Sequence, residues 1–216
     1  MTARRSTEAI ATIIQQMSAT LYHRGPDDEG IWIDPSSGVA VGHRRLAILD
    51  LSPEGHQPML SADDRYILVF NGEIYNFLEL RQQLERCGHR FRGHSDTEVM
   101  LASFSQWGIR QAVQQFNGMF AFALWDQQEH LLHLGRDRLG EKPLYYGWIG
   151  QTLLFASELK ALCAYPDFVA QINRDALTLF LRHSCVPAPY SIYQGIYKLP
   201  PATVLTWNGH DTHPTP

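Results

Sequence analysis

Cysteine is scarce. Cys87, Cys163 and Cys185 are the three in 216 residues, they lie far apart, and none belongs to a CxxC pair. Neither a disulfide framework nor a zinc site is indicated, and a reducing, cytoplasmic setting is expected. A dominant charge sign is lacking too: 18 Lys and Arg against 22 Asp and Glu give a net charge of −4, mixed along the chain. Without a basic stripe, nucleic acid is not an expected partner. No apolar run approaches the roughly 20 residues of a membrane span, so no membrane partner is expected. The start MTARRSTEAIATIIQQM lacks the continuous apolar core of a signal peptide. Its early Arg and Ser residues faintly suggest a transit peptide, but Ile10, Ile13, Ile14, Met17 and Leu21 are better explained as the buried stripe of a first helix. Neither GxSxG nor HExxH occurs. GRDRLGEK, residues 135–142, imitates a phosphate-cradling loop but has its Lys one place late and no Ser or Thr after it. His130 and His133, three apart on a strand, would face opposite ways and share no metal.

What is present is enough for a full core: 44% of residues are hydrophobic and 19% charged. Short strands are predicted in EGIWID and GVAVGHRRLAILDL, joined by the turn Pro35-Ser36-Ser37-Gly38. A strand over Tyr66 to Phe70 runs into Asn71-Gly72, the commonest hairpin pair. Yet no second strand follows it. Phe77, Leu80, Leu84 and Cys87 recur at helical spacing up to Gly88, and Ser95-Asp96 caps a further helix ending near Trp107-Gly108. Phe120, Phe122 and Leu124 alternate with alanine, and HLLHLGRD and TLLFASE continue the strand pattern. The mixture predicts an α+β domain of antiparallel sheets covered by helices. Pro187 to Pro216, rich in Pro, Gly and Thr, is read as an interdomain connection without a clear element, giving a domain over 1–186 and a connecting segment over 187–216.

Polar residues stand at the ends of apolar strands: Arg24, Arg45, Asn71-Gly72-Glu73 and Asp96. Singly, each reads as a surface charge, a turn or a cap. Together they are the parts for holding a free amino acid with a side-chain amide. An Arg clamps an α-carboxylate and an acid such as Asp96 meets an α-ammonium. An Asn side-chain amide beside a Gly N–H can hold the oxyanion formed when the ligand amide is attacked.

The segments HRGPDDEG, GHRRLAILDLSPEGHQPM, FNGEIYN, SDTEV, GMFAFALWD, RDRLGEKPLYY, FASELKAL and VPAPYSIYQGIYKLPPA, between Leu21 and Thr206, closely resemble the glutaminase domain of glutamine-dependent asparagine synthetases, a type 2 glutamine amidotransferase. The resemblance implies a four-layer αββα sandwich of the N-terminal-nucleophile hydrolase type. It implies that Asn71 and Gly72 form the oxyanion hole, and that Arg45, Glu73 and Asp96 hold the backbone end of glutamine. It also implies a cysteine at the mature N-terminus, on the first strand, with its α-amine as base; a pKa near ~8 suits that task. The chain instead begins Met1-Thr2-Ala3-Arg4-Arg5, and none of its three cysteines carries a free α-amine. Thr2 is not expected to substitute, because the first helix fills the interval before HRGPD. The expectation is therefore a domain whose first strand is missing, with a sheet edge exposed, and which does not hydrolyse glutamine. No cofactor is expected in this domain; ATP and Mg are implied only for a synthetase domain, for which no SGGxDS-type loop is present. Expected partners are glutamine, that synthetase domain and, in the full-length enzyme, a second copy as a homodimer. The favoured expectation is a truncated piece of a real enzyme, because both ends stop inside features that the family completes; the competing ones are a vestigial glutamine-binding domain, as in β-lactam synthetase-like relatives, or a regulatory glutamine-binding or interaction module.

Overall fold

The computed structural model describes residues 5–209. Its first helix, α1 (Thr7–Ala19), starts where the Ser6 side chain accepts from the Ala9 N–H, a serine N-cap that satisfies one of the helix's orphan donors. The hairpin β1 (Asp28–Asp34) and β2 (Val39–Arg45) follows, paired from Asp28 with Arg45 to Asp34 with Val39. Strand β2 stops at Arg45, short of the predicted run. Leu46, Ile48, Leu49 and Leu51 are exposed because Arg45 donates to the carbonyls of Asp50 and Ser52, and this turns the chain into a loop.

A central sheet has the order β10-β6-β5-β4-β3, formed by β3 (Met59–Leu60), β4 (Tyr66–Ile74), β5 (Gly118–Asp126), β6 (Leu131–Arg136) and β10 (Val204–Trp207). Every pairing in it is antiparallel. The two-residue side-chain period splits β4 and β5 between two cores. Leu68, Phe70, Ile74, Phe120, Phe122 and Leu124 pack under α2 (Phe77–Arg86) and α3 (Asp96–Gln115), whereas Ile67, Val69, Ala121, Ala123 and Trp125 face the opposite layer. Helix α3 breaks at Gly108, φ 73°, as the sequence suggests, but a second helical stretch carries it to Gln115.

The opposite layer is divided. One part is the β1-β2 hairpin; the other is a three-stranded sheet in the order β8-β7-β9, made of β7 (Tyr145–Ile149), β8 (Thr152–Ala156) and β9 (Ile196–Lys198). Helices α1 and α4 (Leu159–Cys163) cover this layer through Met17, Leu154, Leu162 and Tyr165, with α5 (Arg174–His183) beyond. Four layers result: α2 and α3, the central sheet, the divided layer, then α1 and α4. The stretch 187–216 is not free of elements. Strands β9 and β10 lie within its described part, residues 187–209, and Ile196, Leu199 and Leu205 are fully buried. Its high Pro and Gly content hid two short strands whose pairing is set by distant partners.

The loop imitating a phosphate cradle is a structural brace. Asp137, 1% exposed, accepts from the N–H groups of Phe120, Leu139, Glu141 and Lys142, while Arg136 donates to the carbonyls of Gly140, Lys142 and Leu199. His130 lies in a turn at φ 54° rather than on β6.

Candidate active site

Strand β4 runs straight through Asn71-Gly72 to Ile74, each residue opposite one of β5. No hairpin forms there. A Cβ on Gly72 would lie 2.1 Å from the Met119 carbonyl oxygen and 2.7 Å from the Phe120 Cα, so only glycine allows β4 and β5 to stay in register here. Beyond Leu68 the other edge of β4 has left β3, and side chains take over its backbone groups. The Phe70 N–H donates to Gln57 Oε1 at 2.7 Å, the Phe70 carbonyl accepts from His43 Nε2 at 3.0 Å, and the Ile74 N–H donates to Asp96 Oδ2 at 2.9 Å. By strand alternation Gly72 turns its N–H to the same open edge, between those two braced neighbours. The Asn71 side chain projects from the face opposite the α2–α3 core, and its Nδ2 is buried without a hydrogen-bond partner. The Asn71 amide donor is thus left uncommitted beside that edge.

Asp96 is the first residue of α3, with Ser95 as N-cap accepting from the Glu98 N–H. It is 5% exposed and no cation pairs with it among the described residues. Burial is the main reason its carboxyl is pushed up to about 6. Hydrogen bonds from the Ile74 and Thr97 backbones oppose that rise, and the nearby Glu73 adds to it. Arg45 faces the same space from the end of β2. Its guanidinium is held by the Asp50 and Ser52 carbonyls and lies where a Cβ on Gly55 would collide with it, 2.0 Å from Nη2. Asp50 fixes that loop by accepting from the N–H groups of Ser52 and His94, and its carboxyl is held at about 2, chiefly by the Ser52 side chain and then by the His94 N–H. Among the described residues no carboxylate pairs with Arg45.

Arg45, Asn71, Gly72, Glu73 and Asp96 therefore line one cavity of about 1450 Å³. Arg24 also borders it, but is committed to Glu158 at 2.9 Å. Burial would raise Glu158; its bonds to Arg24, Lys160 and His23 hold it at about 2. Arg44 is turned to Glu29, Gly25 and the Tyr22 ring. Among the described residues no cysteine lines the cavity: Cys87, Cys163 and Cys185 are all exposed elsewhere, and Thr2 lies outside the described residues.

Two site residues escaped sequence reasoning. Gln57, 6% exposed, ties β4 to α3 by donating to Thr97 Oγ1 at 3.3 Å. His43 is lowered to about 4, chiefly by burial, so it is neutral at pH 7. Since Nε2 donates to a carbonyl, Nδ1 is a bare acceptor, and it is buried without a partner. The signal for His43 was its spacing: two residues before Arg45 on one strand, it shares Arg45's face.

The model of the glutamine amidotransferase domain family matches residues 1–216. Asparagine synthetase [glutamine-hydrolyzing] 3 of Bacillus subtilis strain 168 is 42% identical over 199 residues, covering 90% of this chain and 32% of that protein. Asparagine synthetase [glutamine-hydrolyzing] 1 of the same organism is 39% identical over 194 residues, covering 90% and 30%. The chain thus spans about a third of the length of these relatives. Among solved structures, an allosteric regulatory enzyme of purine biosynthesis aligns with TM-score 0.66 and 22% identity over 90% of this chain and 44% of that one. Glutamine phosphoribosylpyrophosphate amidotransferase from B. subtilis aligns with TM-score 0.61 and 24% identity over 71% and 40%. Those likenesses establish a shared α+β sandwich fold. By its match along the whole chain, this protein belongs to the glutamine amidotransferase domain family.

Proposed function

We propose that the cavity binds free glutamine, with Arg45 on its α-carboxylate, Asp96 and Glu73 on its α-ammonium, and its side-chain amide oxygen between Asn71 Nδ2 and the Gly72 N–H. One observation carries this reading. Among the described residues, a buried carboxylate with no paired cation, a guanidinium paired with no carboxylate and an unpartnered amide donor border a single cavity. The ammonium and carboxylate of an amino acid complement the first two, and an amide oxygen complements the third.

In a complete enzyme this domain supplies ammonia. A cysteine thiol placed at the Asn71 end adds to the glutamine amide carbon, and its proton passes through the adjacent α-amine to the departing nitrogen. Ammonia leaves, and water then splits the thioester into glutamate and the free thiol. The ammonia serves ATP-dependent conversion of aspartate to asparagine in a synthetase domain, where ATP and Mg belong; a homodimer and a cytoplasmic setting complete the proposal. The chain of 216 residues alone binds glutamine without hydrolysing it. The second reading, a vestigial binding domain, is favoured by the lack of a cysteine in the cavity among the described residues.

Titration calorimetry with L-glutamine tests the binding. Saturable binding is expected, weakened at least about tenfold by Arg45→Ala, the loss of one charge-assisted pair, with no ammonia released. No binding of glutamine, or equal binding by Arg45→Ala, would falsify the site. Restoring a cysteine-led strand separates the two readings: ammonia release supports the enzyme, and binding alone supports the vestigial domain.

A further inference from the structure

Three buried side-chain atoms among the described residues have no hydrogen-bond partner: His43 Nδ1, Asn71 Nδ2 and Trp125 Nε1. Trp125 packs in the core on that side of the central sheet and does not border the cavity, whereas His43 and Asn71 both do. Leaving a buried polar atom unpaired is costly, so two of them on one cavity mark a place where a ligand completes the bonding. They are opposite in kind. The Asn71 amide nitrogen can only donate. His43 Nδ1 can only accept, because Nε2 carries the ring proton to the Phe70 carbonyl at 3.0 Å.

Strand geometry brings the two together. A Cβ on Gly42 would meet Ser18 and Ile14 of α1, so alternation turns His43, like Arg45, to the opposite face of β2, where the ring reaches the open edge of β4 at Phe70. Asn71 is the next residue, and the next backbone group along that edge is the Gly72 N–H. A ligand oxygen held by Asn71 and Gly72 therefore lies beside the imidazole. The ring is also hemmed in on its other side. His43 sits opposite Gly30 across the hairpin, and a Cβ on Gly30 would come within 2.7 Å of His56 Nε2. The charged and titratable groups around it are Arg45, Asp28 and His56; Asp28 and His56 bond each other at 2.7 Å, and Arg45 is held by the Asp50 and Ser52 carbonyls. None of them gives Nδ1 a proton.

A donor and an acceptor side by side fit a carboxamide, whose oxygen accepts and whose NH2 donates. A carboxylate of the same size would set a second oxygen lone pair against that of Nδ1, and neither could yield a hydrogen. We propose that His43 determines the specificity of the site for an amide over an acid: its Nδ1 accepts from the side-chain NH2 of glutamine and turns glutamate away. The inference rests on the reading of the cavity as a glutamine site and adds to it the residue that tells substrate from hydrolysed product. Burial supports the role, because it keeps His43 neutral at pH 7; a protonated ring would donate at Nδ1 and welcome the acid instead.

Imidazole nitrogen NMR of the 216-residue chain at pH 7.5 reads the contact directly. Without ligand, the His43 Nδ1 resonance should be that of an unprotonated nitrogen free of hydrogen bonds. Saturating L-glutamine should move it upfield as it accepts one, and L-glutamate at the same concentration should leave it in place. Calorimetry should find glutamine bound at least about a hundredfold more tightly than glutamate, the discrimination of a site built around a ligand N–H. His43→Phe keeps a flat ring but no nitrogen, and should bring the two ligands within roughly threefold of each other, mainly by weakening glutamine, while circular dichroism shows the fold retained. Glutamine bound with His43 Nδ1 unmoved, an equal shift with glutamate, or an unchanged preference in His43→Phe would each overturn this inference and leave the glutamine site standing. A parent chain that binds no glutamine would overturn both. Should His43→Phe fail to fold, the resonance of the parent decides.

Discussion

At the residue scale, Asp96 and His43 set opposing pH dependences. Asp96 is raised to about 6, so between about pH 4 and 6 the folded state holds a proton that the unfolded state has lost, and stability falls as pH rises. His43 is lowered to about 4, so over nearly the same window the unfolded state holds the extra proton, and stability climbs. Each contributes roughly 2–3 kcal/mol, because every tenfold change in a proton-binding constant on folding is worth ~1.4 kcal/mol. Asp96→Asn keeps an oxygen to accept from Ile74 but removes the first effect. Urea melts should therefore find that variant about as stable as the parent at pH 4 and more stable by roughly 2 kcal/mol at pH 7.5, with glutamine binding lost. An Asp96→Asn protein that is less stable at pH 7.5 would mean that the carboxylate has an internal cation. Asn71→Ala should cost less than about 1 kcal/mol, because Nδ2 has no partner to lose. In a version supplied with a nucleophile, however, it should lower turnover by roughly 10²–10³.

At the scale of elements, the upper half of β4 is a strand edge held by side chains rather than by another strand. Gln57 accepts from the Phe70 N–H in a buried setting, so Gln57→Leu leaves that donor without a partner and should destabilise by roughly 1–3 kcal/mol. The loss should exceed that of Asn71→Ala, although the two residues border the same cavity. Thermal melts of both variants check the order, and the reverse order would show that β4 does not need its side-chain partners. Strand β4, α2 and the first part of α3 were legible in the sequence because hydrophobic period and caps are local signals. The fate of LAILDL was not. Its pattern suits a strand, and only the grip of Arg45 on the following carbonyls turns it outward.

At the scale of the whole molecule, stability depends on chain-distant closure. Strand β10 forms the edge of the central sheet beside β6, and β9 pairs with β7, so the stretch after residue 186 is part of the core. Deleting residues 187–216 removes Ile196, Leu199 and Leu205, all fully buried. At roughly 2–5 kcal/mol for each large apolar side chain lost from a core, the three together are comparable to the whole margin of an ordinary domain, before the lost strand pairing is counted. The deletion product should be recovered unfolded or aggregated, as judged by circular dichroism and sizing; a cooperative melt would show that the domain closes without these strands.

The sequence by itself determined the α+β class and the helices with clear caps, and it singled out Arg45, Asn71, Gly72, Glu73 and Asp96, which border one cavity, because residue type, short-range period and motif order are written along the chain. Tertiary structure alone decided that Asn71-Gly72 continues a strand, since the register with β5 and the approach of Met119 and Phe120 to Gly72 outweigh the pair's preference for a turn. It also decided that His43 and Gln57 brace the site and that Arg24 is committed to Glu158. The division of the second layer into β1-β2 and β8-β7-β9 was fixed there as well. Such features depend on which edges meet across long stretches of chain, and no local pattern records that.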